Sequence, residues 1–132
     1  MPRTISLSLL GLAALFGAVT LATPASAASP SLSCQVIPSS TGPSTGVCGT
    51  FRAASSYVID NAVQNGPAGG YAWSVPSGTR VVAGCQSTTP FCDLSVRATS
   101  VDRDFVTSVA VPGFGVLSVT AVIPAVCGKF LC

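Results

Sequence analysis

Histidine and glutamate are both absent from these 132 residues, and the acidic groups are four aspartates, Asp60, Asp93, Asp102 and Asp104. Without histidine, no Ser-His-Asp or Cys-His nucleophile can be assembled. Without glutamate, a glycoside hydrolase would have to use two of those aspartates, one of them with a strongly raised pKa. Charge of either sign is sparse, at 8% of residues. The cations after the leader, Arg52, Arg80, Arg97, Arg103 and Lys129, are scattered along the chain. Nucleic acid needs a basic stripe that neutralises several phosphates, so this spacing argues against it as a partner. No CxxC pair occurs, and zinc therefore lacks its usual ligand spacing. The inventory reads as a protein without enzymatic activity, metal or cofactor.

What is present begins with a leader. Met1-Pro2-Arg3 supplies a positive charge, Ile5 to Ala22 form an apolar run, and Ala25-Ser26-Ala27 fits the small-x-small rule for signal peptidase. Residues 1–27 are thus expected to be a secretory signal peptide, leaving 28–132 as one small domain that is extracellular or periplasmic and has no membrane association after cleavage. A domain of this size buries a modest fraction of its surface and gains little from its core alone. All six cysteines, Cys34, Cys48, Cys85, Cys92, Cys127 and Cys132, follow the cleavage site. An even count in a short exported chain predicts three disulfides. Six cysteines allow many pairings. Sequence neighbours are the simplest choice: Cys34–Cys48, Cys85–Cys92 and Cys127–Cys132, each bracketing a turn-rich segment. Closing loops of this size contributes roughly 2–3 kcal/mol each in the chain-entropy model. If Cys34 and Cys127 lie on adjoining strands, the first and third pairs could instead cross.

Outside the leader no long segment has helical periodicity; short alternations between turn signals dominate. In Phe91 to Ala98, Cys92, Leu94, Val96 and Ala98 share one face and Asp93, Ser95 and Arg97 the other, so one face can be buried and the other wet. Residues 105–111 and 116–123 behave alike, joined by Pro112-Gly113-Phe114-Gly115. Leu32, Cys34 and Val36 alternate in a first strand, Ser39 to Gly46 form a breaker-rich loop, Val47 to Ala53 offer a short edge strand, and Tyr57 to Val63 another strand. The prediction is all-β: an antiparallel sandwich of about seven or eight strands.

Tyr71-Ala72-Trp73-Ser74-Val75-Pro76-Ser77-Gly78, followed by Thr79 to Gly84, reads as strand, Pro-Gly turn and strand. In the pattern Tyr71-x-Trp73-x-Val75-Pro76-x-Gly78-x-x-Val81-x-x-Gly84, with Tyr57-x-Ile59-x-Asn61-Ala62 before it and Val109-x-Val111 after it, the chain resembles the bacterial PKD-like members of the immunoglobulin-like superfamily. That resemblance implies an immunoglobulin-like sandwich in which Trp73 packs between sheets, and a role in adhesion, spacing or recognition outside the cell. No cysteine falls in 57–63 or 105–111, where antibody domains place their intersheet disulfide, so Trp73 is expected to pack on aliphatic residues.

Four features offer chemistry. Asp102 and Asp104 have the spacing to share a strand face as acid and base, although Arg103 and small neighbours favour a solvated strand entrance. The same aspartates with Asp60 and Asn61 could offer oxygens to calcium, short of the six or more that a firm site needs. Tyr71 and Trp73 share a face and could stack on a sugar, or be core residues of a central strand. Finally, Cys127 to Cys132 closes a ring that either displays Lys129, Phe130 and Leu131 to a partner or prevents fraying of the terminus. The reading that joins these is a structural or interaction module binding an extracellular protein or glycan through its loops. The alternative is a small inhibitor of a hydrolase that uses the ring or the Ser39–Gly46 loop.

Overall fold

A computed structural model of the chain describes residues 28–132; the predicted signal peptide, residues 1–27, lies outside them. The described residues form strands and turns only, with β1 at Ser31–Ile37, β2 at Ser44–Thr45, β3 at Val47–Gly49, β4 at Ser56–Gln64, β5 at Ala72–Ser74 and β6 at Arg80–Gly84. They continue with β7 at Phe91–Arg97, β8 at Arg103–Val111, β9 at Gly115–Ile123, β10 at Val126–Cys127 and β11 at Phe130–Leu131. One sheet has the order β2-β1-β4-β7-β6 and the other β3-β9-β8-β5, while β10 and β11 form a separate small hairpin. All pairings are antiparallel except β3 with β9. The order β1-β4-β7-β6 opposite β9-β8-β5 is the one in which immunoglobulin-like sandwiches arrange seven strands. The surplus over seven or eight comes from the two-residue segments β2, β10 and β11, too short to show an alternation in sequence.

Alternation dictates the core. Leu32, Cys34 and Val36 of β1, Tyr57, Ile59 and Val63 of β4, and Cys92, Leu94 and Val96 of β7 are buried and face Phe105, Val109 and Val111 of β8 and Val119, Ala121 and Ile123 of β9. On β4 and β7 the intervening residues stay at least partly exposed, as a one-sided sheet requires. Of the buried polar residues Ser33, Thr50, Asn61 and Thr107, the last two are the most completely enclosed. Asn61 donates from Nδ2 to the Cys92 carbonyl at 2.9 Å, and Thr107 is buried beside the apolar residues of β8.

The three disulfides join sequence neighbours: Cys34–Cys48, Cys85–Cys92 and Cys127–Cys132. A small all-β domain so bonded suits an oxidising environment. Cys34 belongs to the first sheet and Cys48 to the second, so this bond is an intersheet link. It lies elsewhere than the antibody bond, between the first strand and the edge strand β3.

The Tyr71–Gly84 stretch is strand, turn and strand as expected, but the packing of Trp73 differs. Its strands do not pair with each other: β5 lies at the edge of one sheet and β6 at the edge of the other, and Val75 to Thr79 carry the chain between them. An edge strand has a neighbour on one side only, so Trp73 is half-buried rather than enclosed between sheets. Tyr71, just before β5, is the buried aromatic, and its hydroxyl donates to the Pro67 carbonyl at 2.5 Å. The Trp73 Nε1 donates to the Thr89 carbonyl at 3.1 Å, and the two rings stand tilted with centroids 6.4 Å apart.

Tyr57 anchors the approach to β4. Its buried hydroxyl donates to the Arg52 carbonyl at 2.8 Å and accepts from the Ala54 amide at 3.1 Å. Tyr57→Phe strands both backbone groups, so it is expected to cost about 1–3 kcal/mol. A urea denaturation midpoint that falls with the m-value unchanged would bear this out; an unchanged midpoint would not.

Candidate functional site

The strand directions sort the connections into two ends. At one, β4 passes to β5, β6 to β7 and β8 to β9. This end is laced together: the Gly70 and Tyr71 amides donate to the Ser87 carbonyl at 2.8 and 3.0 Å, the Val63 amide donates to the Pro90 carbonyl at 2.7 Å, and Cys85–Cys92 closes the β6–β7 connection. At the other end β1, β3, β5, β7 and β9 finish and β4, β6 and β8 begin. Three clefts open there, between segments far apart in sequence.

The first cleft, of about 420 Å³, is walled by Val47 and Phe51 on one side, by Val122 and Pro124 at the end of β9, and by Leu131 of the terminal hairpin. The wall containing Phe51 is built from backbone whose groups are satisfied locally. Thr50 Oγ1 donates to the Pro38 carbonyl at 2.7 Å, the Phe51 amide donates to Ser40 Oγ at 2.9 Å, and Gln35 Nε2 donates to Ser39 Oγ at 2.9 Å. Phe51 itself projects outward with 82% of its surface exposed. A tethered backbone has little freedom left to lose when a partner covers the side chain it carries.

The terminal ring forms the opposite wall and is docked against the domain. The Val126 amide donates to the Thr99 carbonyl at 2.8 Å and the Cys132 amide to the Ala125 carbonyl at 3.1 Å. Asp102 Oδ1 accepts from the Ala125 amide at 2.6 Å. The three residues predicted for display are thereby divided. Leu131 lines the first cleft, Lys129 lines a separate cleft of about 290 Å³ with Ala53, Ala54 and Ser55, and Phe130 projects freely at 76% exposure. The Ser39–Gly46 loop reaches the first cleft through Thr41. Both segments singled out in the sequence therefore meet at one place. The sequence predicts Val47 and Phe51 only as parts of a short edge strand, Val47 to Ala53; β3 ends at Gly49, so Phe51 lies beyond it in an irregular segment with no periodicity to reveal its role. Its only sequence signal is a large aromatic placed directly after Gly49-Thr50.

Asp102 and Asp104 are both exposed at the entrance to β8, as a solvated strand start requires. Asp102 spends its carboxylate on the Ala125 amide, and Asp104 pairs in register with Val122 on β9. Asn61 points into the core while Asp60, its neighbour on a strand, points away, so the two cannot share a cation. The pair that the fold brings together is Asp60 and Asp93, directly opposite across β4 and β7. Partial burial, the Asp60 charge and the hydrogen bond between the two carboxyls hold Asp93 above the ordinary carboxylate range. The pair sits on the outer face of its sheet and lines none of the three clefts.

Comparison of the chain with family models, curated proteins and solved structures finds no match.

A carboxyl whose folded-state pKa is raised destabilises the fold once ionised, and the penalty is relieved as pH falls through that pKa. Asp93 therefore opposes folding at neutral pH and does so less under mild acid. Asp93→Asn is expected to raise stability at pH 7 by a few tenths of a kcal/mol, the scale of a like-charge cross-strand pair. It should also remove part of the gain that the parent shows on acidification to about pH 4.5, just above the unfolded carboxylate range. Melting curves of parent and variant at both pH values test this; an Asn variant less stable at pH 7 would refute it.

Proposed function

We propose that this chain is a secreted, non-enzymatic interaction module of the immunoglobulin-like, PKD-like type, which binds an extracellular protein through the apolar cleft at the open end of its sandwich. The observation that carries the reading is the meeting of Phe51 and Leu131, from segments some eighty positions apart, at one cleft, with Phe130 next to Leu131 in the ring and open to solvent. Secretion rests on the leader pattern of residues 1–27 together with the three disulfides.

A protein partner is favoured over a glycan at this cleft. Sugars are gripped by several side-chain donors and acceptors around a stacking ring. This cleft is mostly aliphatic and aromatic, and its one carboxylate is already bonded to a backbone amide. Such a lining suits an apolar anchor residue from a protein surface, with the rim supplying complementarity. The inhibitor reading draws on the same ring. Docking of the ring through Ala125, Val126 and Leu131 leaves Phe130 projecting rather than a whole loop, which favours the broader module reading.

A photo-crosslinking residue placed at 51 or 130 is expected to capture the same discrete protein from the medium of producing cells. The same probe at 114, an exposed phenylalanine at the laced end, should capture none. Phe51→Ala should lower affinity for the captured protein by roughly thirtyfold, as loss of a hot-spot aromatic does. Equal capture from position 114, or unchanged affinity in Phe51→Ala, would defeat the proposal.

A further inference from the structure

The cations are scattered in sequence but not in space. Of Arg52, Arg80, Arg97, Arg103 and Lys129, three line a single cleft of about 510 Å³ at the open end, and no acidic residue lines it with them. The topology explains the convergence. Arg80 opens β6 and pairs in register with Ser95 of β7, while Arg97 closes β7 and pairs with Ser56 of β4. Arg103 opens β8 in the opposite sheet, where the two sheets come together at their ends. Ser56, Thr79 and Ser95 add hydroxyl groups to the same lining.

Arg103 is fixed in place. Its Nη2 donates to the Arg97 carbonyl and its guanidinium lies over the Phe105 ring, 5.1 Å from the centroid. Its Nε is buried and lacks an acceptor. The carboxylates nearest in sequence are directed elsewhere: Asp102 is bonded to the Ala125 amide, and Asp104 alternates to the other face of β8. Three guanidiniums around one concavity repel one another and focus a positive potential there. An anion relieves that repulsion, and guanidinium forks match the oxygens of phosphate and sulfate in geometry. The cleft also exceeds the size of a bare tetrahedral ion and falls in the range of small-molecule sites.

We propose that the Arg80–Arg97–Arg103 cleft binds a phosphate or sulfate ester carried on a small hydroxylated molecule, with the guanidiniums holding the ester group and the Ser56 and Ser95 hydroxyls facing the carrier. This site is separate from the apolar cleft and stands whether or not that cleft binds a protein.

The test titrates the intact oxidised domain by calorimetry with glucose 6-phosphate, glucose 6-sulfate, inorganic phosphate, inorganic sulfate and glucose. Saturable binding of at least one sugar ester is expected, tighter than that of its inorganic ion, with none for glucose. The two esters distinguish a phosphate from a sulfate ligand. Arg80→Gln and Arg97→Gln should each weaken binding by about tenfold or more, the scale of a charge-assisted hydrogen bond. Arg52→Gln, a cation outside the cleft, should leave it unchanged. Amide chemical shifts of residues 56, 79, 95 and 97 in the unmutated protein should move with the same titration, which keeps the test independent of variant folding. Absence of saturable ester binding overturns the proposal, as do an equal loss in Arg52→Gln or shift changes confined to other residues.

Discussion

The covalent link between the two sheets, Cys34–Cys48, is the constraint on which the open end of the molecule depends. Both cysteines are buried, and the bond spans a sequence separation of 14 residues. Within that interval the chain leaves β1, doubles back as β2 and crosses to the other sheet as β3. The three residues of β3 make a parallel ladder with β9, and the Thr120 amide adds a bond to the Gly46 carbonyl at 2.8 Å. So short a strand has little pairing energy of its own. A loop closed by a disulfide has already given up much of its entropy in the unfolded chain, to the extent of roughly 3 kcal/mol in the chain-entropy account. Fastening β3 in turn fixes Thr50 and Phe51, and with them one wall of the apolar cleft.

A division of labour between the ends follows. One end spends its backbone polar groups internally, through Ser87, Thr89 and Pro90, and is closed by Cys85–Cys92. At the other, connections of different length leave concavities between them, and the terminal ring is pressed into one of these gaps by Asp102 and Thr99. The apolar cleft and the arginine cleft share this end but differ in chemistry, since Asp102 and Arg103, adjacent in sequence, line different clefts. The open end thus carries an apolar anchor point beside a cationic one.

Much of this was legible in the sequence. The long strands β4, β7, β8 and β9 show a clean period of two because one face of each is buried, and the cysteine pairs were legible because each brackets a short turn-rich segment. Edge strands were less so. Tyr71-Ala72-Trp73 has the same apolar spacing whether it lies mid-sheet or at an edge, and only the topology decides that Tyr71 is enclosed and Trp73 half-exposed. Juxtapositions across strands were not legible at all. Asp60 meets Asp93 through the β4–β7 register, and the three arginines meet because their strand ends share one end of the sandwich. Neither relation leaves a trace in local spacing.

Amide hydrogen exchange on a Cys34→Val/Cys48→Ala variant, compared with the parent, tests the dependence of the open end on the intersheet bond most directly. Protection should fall at β3, at Thr120 and at Phe51, while the β4–β7 and β8–β9 ladders keep theirs. Unchanged protection at β3, or an even loss through both sheets, would contradict a bond that specifically builds this end.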